Sequence, residues 1–201
     1  SLGCDKNLVD SEEMLGMLAA DGHQIVDDED EAEVIIVNTC CFIGDAKEES
    51  VNTILEMAEK KKAGTCKVLI VTGCMAQRYK KEISEEIPEV DAILGTTSYG
   101  DIIKAVKEAE AGRHFEEYKS IDFLPNISGK RMLTTGGHFA YLKIAEGCDK
   151  HCTYCIIPKL RGSYRSVPME QLVKEAQSLA EQGVKELILV AQETTLYGKD
   201  L

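Results

Sequence analysis

Val34-Ile35-Ile36-Val37-Asn38 is a short, continuous apolar run, and Lys67-Val68-Leu69-Ile70-Val71-Thr72 is a second. A strand that alternates apolar and polar residues buries one face. A run that is apolar throughout buries both, as parallel strands between helical layers do. Asp91-Ala92-Ile93-Leu94-Gly95 is a weaker third run, and Ser1-Leu2-Gly3 reads as the tail of a strand. Helical spacing separates the runs. Met14, Leu15 and Leu18 share one side of a stretch from Asn7 to Asp21 that ends at Gly22, a helix C-cap. Val51, Ile54, Leu55 and Ala58 form a second such stripe, and Ile102, Ile103, Val106 and Ala109 a third. Strand–helix alternation of this kind predicts an α/β domain over 1–112, with an open parallel sheet and helices on both faces.

The rhythm breaks over 113–138, where Pro125, Gly129, Gly136 and Gly137 mark a linker that has room for an extended ribbon. A new unit starts at 139. Phe139-Ala140-Tyr141-Leu142-Lys143-Ile144-Ala145 reads as a strand and is followed by a cysteine loop. Leu172, Val173, Ala176, Leu179 and Ala180 mark a helix between Pro168 and Gly183, and Glu186-Leu187-Ile188-Leu189-Val190-Ala191 is the next strand. Strand–loop–helix–strand is the opening of a β/α barrel, expected over 139–201 and truncated after two strands. Ser1 is not an initiator methionine and Leu201 closely follows a strand, so both ends are expected to be cut. A cytoplasmic location is expected, and no apolar run approaches the length of a membrane span.

The formal net charge of −12, from 35 acidic and 23 basic residues, argues against a non-specific phosphate-binding surface. It suits either a basic partner or solubility alone. Eight cysteines are the unusual feature. A disulfide framework belongs to small secreted domains that lack core, and this chain is 44 % hydrophobic, so reduced, metal-binding thiols fit better. His23, His114 and His138 show no metal spacing, and no nucleophile triad or phosphate loop is present.

Cys148, Cys152 and Cys155 have the form C-x3-C-x2-C just past the first barrel strand. Three thiolates on one loop can hold three corners of a [4Fe–4S] cluster and leave the fourth iron open to a small molecule. The competing assignment is a zinc site with His151 as fourth ligand, but structural zinc prefers paired knuckles and no second knuckle lies nearby. Cys4, Cys40 and Cys74 are far apart in sequence, yet each lies just past the C-terminal end of an expected parallel strand. Those ends share one edge of the sheet, where ligands collect. By geometry alone they are either a second cluster site or three packed thiols.

The cysteine loop together with Ile156-Ile157-Pro158-Lys159-Leu160-Arg161-Gly162 resembles the radical S-adenosylmethionine (SAM) methylthiotransferase family. So do Gly3-Cys4, Asn38-Thr39-Cys40 and Thr72-Gly73-Cys74. The resemblance spans essentially the whole chain. It implies an enzyme with two [4Fe–4S] clusters that uses SAM. The Cys148/Cys152/Cys155 cluster binds SAM, and the Cys4/Cys40/Cys74 cluster is auxiliary and carries the sulfur to be inserted. The fragment alone is expected to be inactive.

Ser1-Leu2-Gly3-Cys4-Asp5-Lys6-Asn7-Leu8-Val9-Asp10-Ser11-Glu12 is similar to one branch of the family. Arg161-Gly162-Ser163-Tyr164-Arg165-Ser166 and Ala191-Gln192-Glu193-Thr194-Thr195-Leu196-Tyr197-Gly198 point to the same branch. It adds a methylthio group to the β-carbon of an aspartate in the twelfth protein of the small ribosomal subunit. Implied partners are that protein or the ribosome, and an electron donor such as flavodoxin or ferredoxin. The alternatives are a tRNA adenosine methylthiotransferase and a non-catalytic module stabilised by metal. Tyr154 matches an aromatic that flanks adenine in related enzymes, or else packs the loop. Gln192, Glu193 and Thr194 end the second barrel strand, as SAM contacts or as support behind them. Arg161 and Arg165 either hold a carboxylate of SAM or substrate or tie the cysteine loop to the sheet. Cys41 stands where the family pattern has glycine, and it and Cys66 are read as packing or surface thiols outside the site.

Overall fold

The computed structural model describes residues 1–125 and 131–201. Gly129, one of the linker signals, lies outside the described residues. In the first unit α1 (Asp5–Ala20) precedes β1 (Val34–Thr39), α2 (Gly44–Ala63) and β2 (Val68–Gly73). Two short helices, α3 (Cys74–Arg78) and α4 (Lys80–Glu86), lead to β3 (Ala92–Leu94), α5 (Ile102–Glu110) and β4 (Phe115–Glu117). The strands pair in parallel in the order β1-β2-β3-β4. Successive residues of β2 serve opposite layers. Leu69 and Val71 pack with Ile54, Met57, Ala58 and Ile83 of α2 and α4, whereas Val68 and Ile70 pack with Met14, Leu18, Ile102 and Val106 of α1 and α5. Burial on both sides is why this run is apolar at every position.

Two expectations change. Residues 115–117, expected within the linker, form β4 against β3 in the first sheet. Phe-Glu-Glu is too short and too polar to stand out as a strand, and an edge position tolerates both properties. The Ser1–Gly3 segment is not a strand. It meets the sheet through Leu2 N–H, which donates to Asn38 O at 2.9 Å, and the chain then turns into α1.

In the second unit β5 (Phe139–Lys143) leads through β6 (Ala145–Glu146) into the cysteine loop. Then come α6 (Ile157–Arg161), β7 (Arg165–Ser166), α7 (Met169–Glu181) and β8 (Glu186–Val190). β5 and β8 pair in parallel, and α7 covers them through Leu172 and Leu179 against Ala140 and Leu142. This is the expected β/α unit. β6 and β7 add a small antiparallel pair that sets Glu146 opposite Arg165.

Candidate metal centre and domain junction

Two strand ends and one helix start carry the first cysteine set, so Cys4, expected past a strand end, is placed by α1 instead. Cys4 is the N-cap of α1, Cys40 directly follows β1 and Cys74 opens α3 directly after β2. The backbone at Gly3 lies against Cys40, so that a Cβ there would sit 2.8 Å from Cys40 Sγ. Asn7 holds this corner closed, its amide donating to Leu2 O at 3.0 Å and to Thr39 O at 2.9 Å. Cys40 is bracketed by Ser50, whose hydroxyl accepts from Cys40 N–H at 3.0 Å and donates to Cys40 O at 2.7 Å. Thr39 donates to Thr72 O at 2.5 Å and accepts from Met75 N–H at 3.2 Å, which fixes the start of α3. Cys4 is exposed, while Cys40 and Cys74 are buried. Burial pushes the Cys74 thiol up, and the Arg161 charge opposes that shift.

Cys41 adjoins Cys40 and shares a buried layer with Cys74, while Cys66 lies away from the set. Cys41 is buried in the layer beneath α2, and burial raises its thiol to about 11. Cys66 precedes β2, at the far end of the strand from Cys74, and donates to Val68 O at 3.1 Å.

The second set lies on the loop between β6 and α6. Cys148 N–H donates to Gly162 O at 3.1 Å, and Cys155 N–H to Cys152 O at 2.9 Å. Cys152 is exposed, and Cys148 and Cys155 are half-buried. Tyr154 is 88 % exposed, so it does not pack the loop. Glu193 is ion-paired with Lys150 of the loop and holds Thr195. Those contacts draw Glu193 to about 2. Thr194 is exposed. Gln192 has both side-chain polar atoms buried without a partner, which leaves an amide free for a ligand.

Among the described residues, no three His, Cys, Asp or Glu side chains are set to hold a single metal ion. A cubane makes a different demand, because each thiolate binds its own iron and the ligands need not converge on one point. All eight cysteines are free thiols. The donor chemistry of both triplets therefore fits a thiolate-ligated cluster.

α6 joins the two sets. It starts two residues after Cys155 and packs on α3, which starts with Cys74. Leu160, 2 % exposed, belongs to the core of the first unit, and its carbonyl accepts from Thr96 Oγ1 at 2.7 Å. Arg161, also 2 % exposed, donates to Asp10 Oδ2 at 3.0 Å, to Glu146 Oε1 at 3.2 Å and to Asn7 Oδ1. Lys143 pairs with Asp10 and, at 2.9 Å, with Glu146. Burial alone would raise the Glu146 carboxyl; Lys143 first and Arg161 next outweigh it and hold it low. A parallel contact joins Arg131 to Glu12 at 3.0 Å and to Glu175 at 2.7 Å.

Arg161 is thus engaged by protein acceptors, on the tying side of the two readings open from sequence. Arg165 donates to the carbonyls of Ser163 and Arg161 and lies 3.6 Å from Asp122, with its Nε buried and unpartnered. Sequence reasoning missed Asn7, Asp10, Lys143 and Glu146 as a buried set. The available signal was two charges, Lys143 and Glu146, within an otherwise apolar strand segment.

The parallel α/β unit with cysteines on its strand ends, joined to a β/α unit with a three-cysteine loop, defines a radical SAM class of protein. Residues 142–201 match the radical SAM superfamily, and residues 1–95 match a family described as Uncharacterized protein family UPF0004. All 201 residues align at 65 % identity with the ribosomal protein uS12 methylthiotransferase RimO of Lachnoclostridium phytofermentans, covering 46 % of it. The RimO proteins of Clostridioides difficile and Acetivibrio thermocellus are 55 % and 54 % identical, with 45 % and 46 % of each covered. The chain is thus similar over its whole length to RimO-type methylthiotransferases. It spans a little under half the length of these curated relatives. A solved radical SAM methyltransferase, TsrM from Kitasatospora setae with tryptophan and a SAM analogue bound, matches at a TM-score of 0.59. The match covers 96 % of this chain and 46 % of that one at 12 % identity, a likeness of fold alone. Among the described residues no helix is long and apolar enough to cross a membrane.

Proposed function

We propose that this chain is the cluster-bearing part of a methylthiotransferase acting on the β-carbon of an aspartate in ribosomal protein uS12. Cys4, Cys40 and Cys74 hold an auxiliary [4Fe–4S] cluster, and Cys148, Cys152 and Cys155 hold the cluster that binds SAM. When bound, these groups supply reductive radical chemistry and the sulfur to be inserted at a C–H bond too weakly acidic for an ordinary base. The chain's own residues position and shield. Asn7 and Ser50 fix the strand ends under the first set. Lys150 and Glu193 brace the second loop, and Gln192 and Tyr154 are available to orient SAM. An electron donor such as flavodoxin or ferredoxin completes the system.

The observation that supports this reading is the contact between α3, which starts with Cys74, and α6, which starts two residues after Cys155. Sulfur insertion needs that proximity, because a carbon radical must meet the sulfur before it reaches solvent. The test uses full-length protein, reconstituted anaerobically with iron, sulfide and SAM, and offered uS12 or tRNA. Mass spectrometry should find a methylthio group on a uS12 aspartate. Modification of tRNA alone would overturn the substrate assignment. SAM cleavage that survives alanine at Cys148, Cys152 and Cys155 together would overturn the cluster assignment.

A further inference from the structure

Arg161 occupies an unusual place for a buried cation. Its backbone neighbour, Gly162, accepts the Cys148 N–H and so anchors the start of the second cysteine loop. Its guanidinium crosses to the other unit and bonds Asn7, the residue whose amide holds Leu2 O and Thr39 O, on either side of the Cys4–Cys40 corner. One side chain therefore links both cysteine sets through a short chain of bonded groups. Asp10 and Glu146 fix the guanidinium in place, and Lys143 shares both carboxylates. Two cations meet two anions here, so removing the charge of any one of them leaves a net buried charge at this corner.

We propose that Arg161 is a positioning residue that locks the two cluster-bearing units in register and sets the reduction potential of the auxiliary cluster. The inference rests on the cluster assignment made above. The charge component follows from low dielectric. A fixed cation beside a buried thiolate-ligated centre favours its more negative, reduced form, and net charge and hydrogen bonding are the protein's main means of adjusting such a potential. Arg161 reaches the Cys4–Cys40 corner through Asn7, and its helix packs on α3, which starts with Cys74. Nη1 donates to Asp10 and Glu146 and Nη2 to Asn7, so the guanidinium is fixed by those partners.

The experiment uses full-length protein carrying Cys148→Ala, Cys152→Ala and Cys155→Ala, so that any remaining cluster is the auxiliary one. Its midpoint potential is read by anaerobic redox titration followed by electron paramagnetic resonance. Arg161→Gln should shift the potential negative while iron content is kept, and Arg161→Lys should restore most of that shift. Glu146→Gln, of the same volume and with an oxygen still available to Lys143 and Arg161, should shift it positive. This variant decides the matter if Arg161→Gln fails to fold. A purely mechanical role for Arg161 would lower stability and leave every potential at the parent value, and that result would overturn the proposal. If the triple-alanine parent binds no cluster at all, the assignment of Cys4, Cys40 and Cys74 falls, and the inference falls with it. A cluster whose potential ignores all three variants would sink the inference alone.

Discussion

Asp10→Ala should cost far more than any exposed charge deletion in this chain. Asp10 is 3 % exposed and accepts from both Lys143 and Arg161. Its removal leaves two buried cations sharing Glu146. Deleting one partner of a buried pair typically costs about 3–5 kcal/mol, mainly because the stranded charge has lost its hydration. At about 1.4 kcal/mol per factor of ten, the docked state would weaken by roughly two to four orders of magnitude. Asp10→Asn keeps the shape and loses the charge, so it should lose nearly as much. The control is Lys60→Ala, which breaks exposed pairs with Glu29 and Asp30; its effect should be small and should fade in high salt. Urea unfolding of full-length protein would measure the losses. Amide exchange in α1 and β5 would show whether the junction opens first. If Asp10→Ala and Lys60→Ala behaved alike, or if salt abolished the Asp10→Ala loss, the network would not be the buried, desolvated clamp described here.

Gly73→Ala should strip iron from the first set and spare the second, as iron analysis of each would show. Gly73 has φ +91°, and a Cβ there would lie 2.4 Å from Asn38 Oδ1 and 2.5 Å from Thr39 O, displacing the start of α3 and Cys74. Cys41→Ser and Cys66→Ser should keep full iron content while Cys40→Ala does not; equal loss in Cys41→Ser and Cys40→Ala would mean that the ligand is the wrong neighbour. Glu13→Gln should change the pH dependence of stability. Burial raises the Glu13 carboxyl from its ordinary 4.5 to about 7, against the pull of Lys143. The folded chain then keeps a proton that the unfolded chain loses, so Glu13 makes stability fall as pH rises from about 4.5 to about 7. The variant should therefore be stabilised relative to the parent at pH 8 and not at pH 4, as read from urea midpoints.

The sheet was legible because burial on both faces writes itself locally. Val68 to Val71 are each apolar, and the ends of β1 and β2 each lead directly into a cysteine. Short elements were not. α3 and α4 are broken at Tyr79, and the five residues of α6 include a proline in the first turn, so neither shows a full helical period. The junction was hidden for a different reason. Asp10, Glu12 and Glu13 on α1 look like a solvated face, because the residues that bury them come from much farther along the chain. Lys143 and Arg161 lie 133 and 151 residues away from Asp10. No window of local sequence contains both partners, and Arg161 could be assigned only as either a ligand contact or a tie.

The junction combines two kinds of force that do different jobs. Leu160 enters the first unit's core as an apolar peg, and full burial of such a side chain is worth about 1.5–3 kcal/mol. That attraction has little direction, and a helix of one turn could rotate about it. The ionic set beside it is directional. Arg161 must reach Asp10, Glu146 and Asn7 together, and a slip would strand at least one buried charge. Peg and clamp lie on adjacent residues of α6, immediately after the cysteine loop. The loop's position is therefore referred to the first unit's strand ends and not only to the barrel strand that precedes it. A junction held this way keeps two cysteine sets in register through rigid, neighbouring contacts, which is what transfer of a group between them would demand.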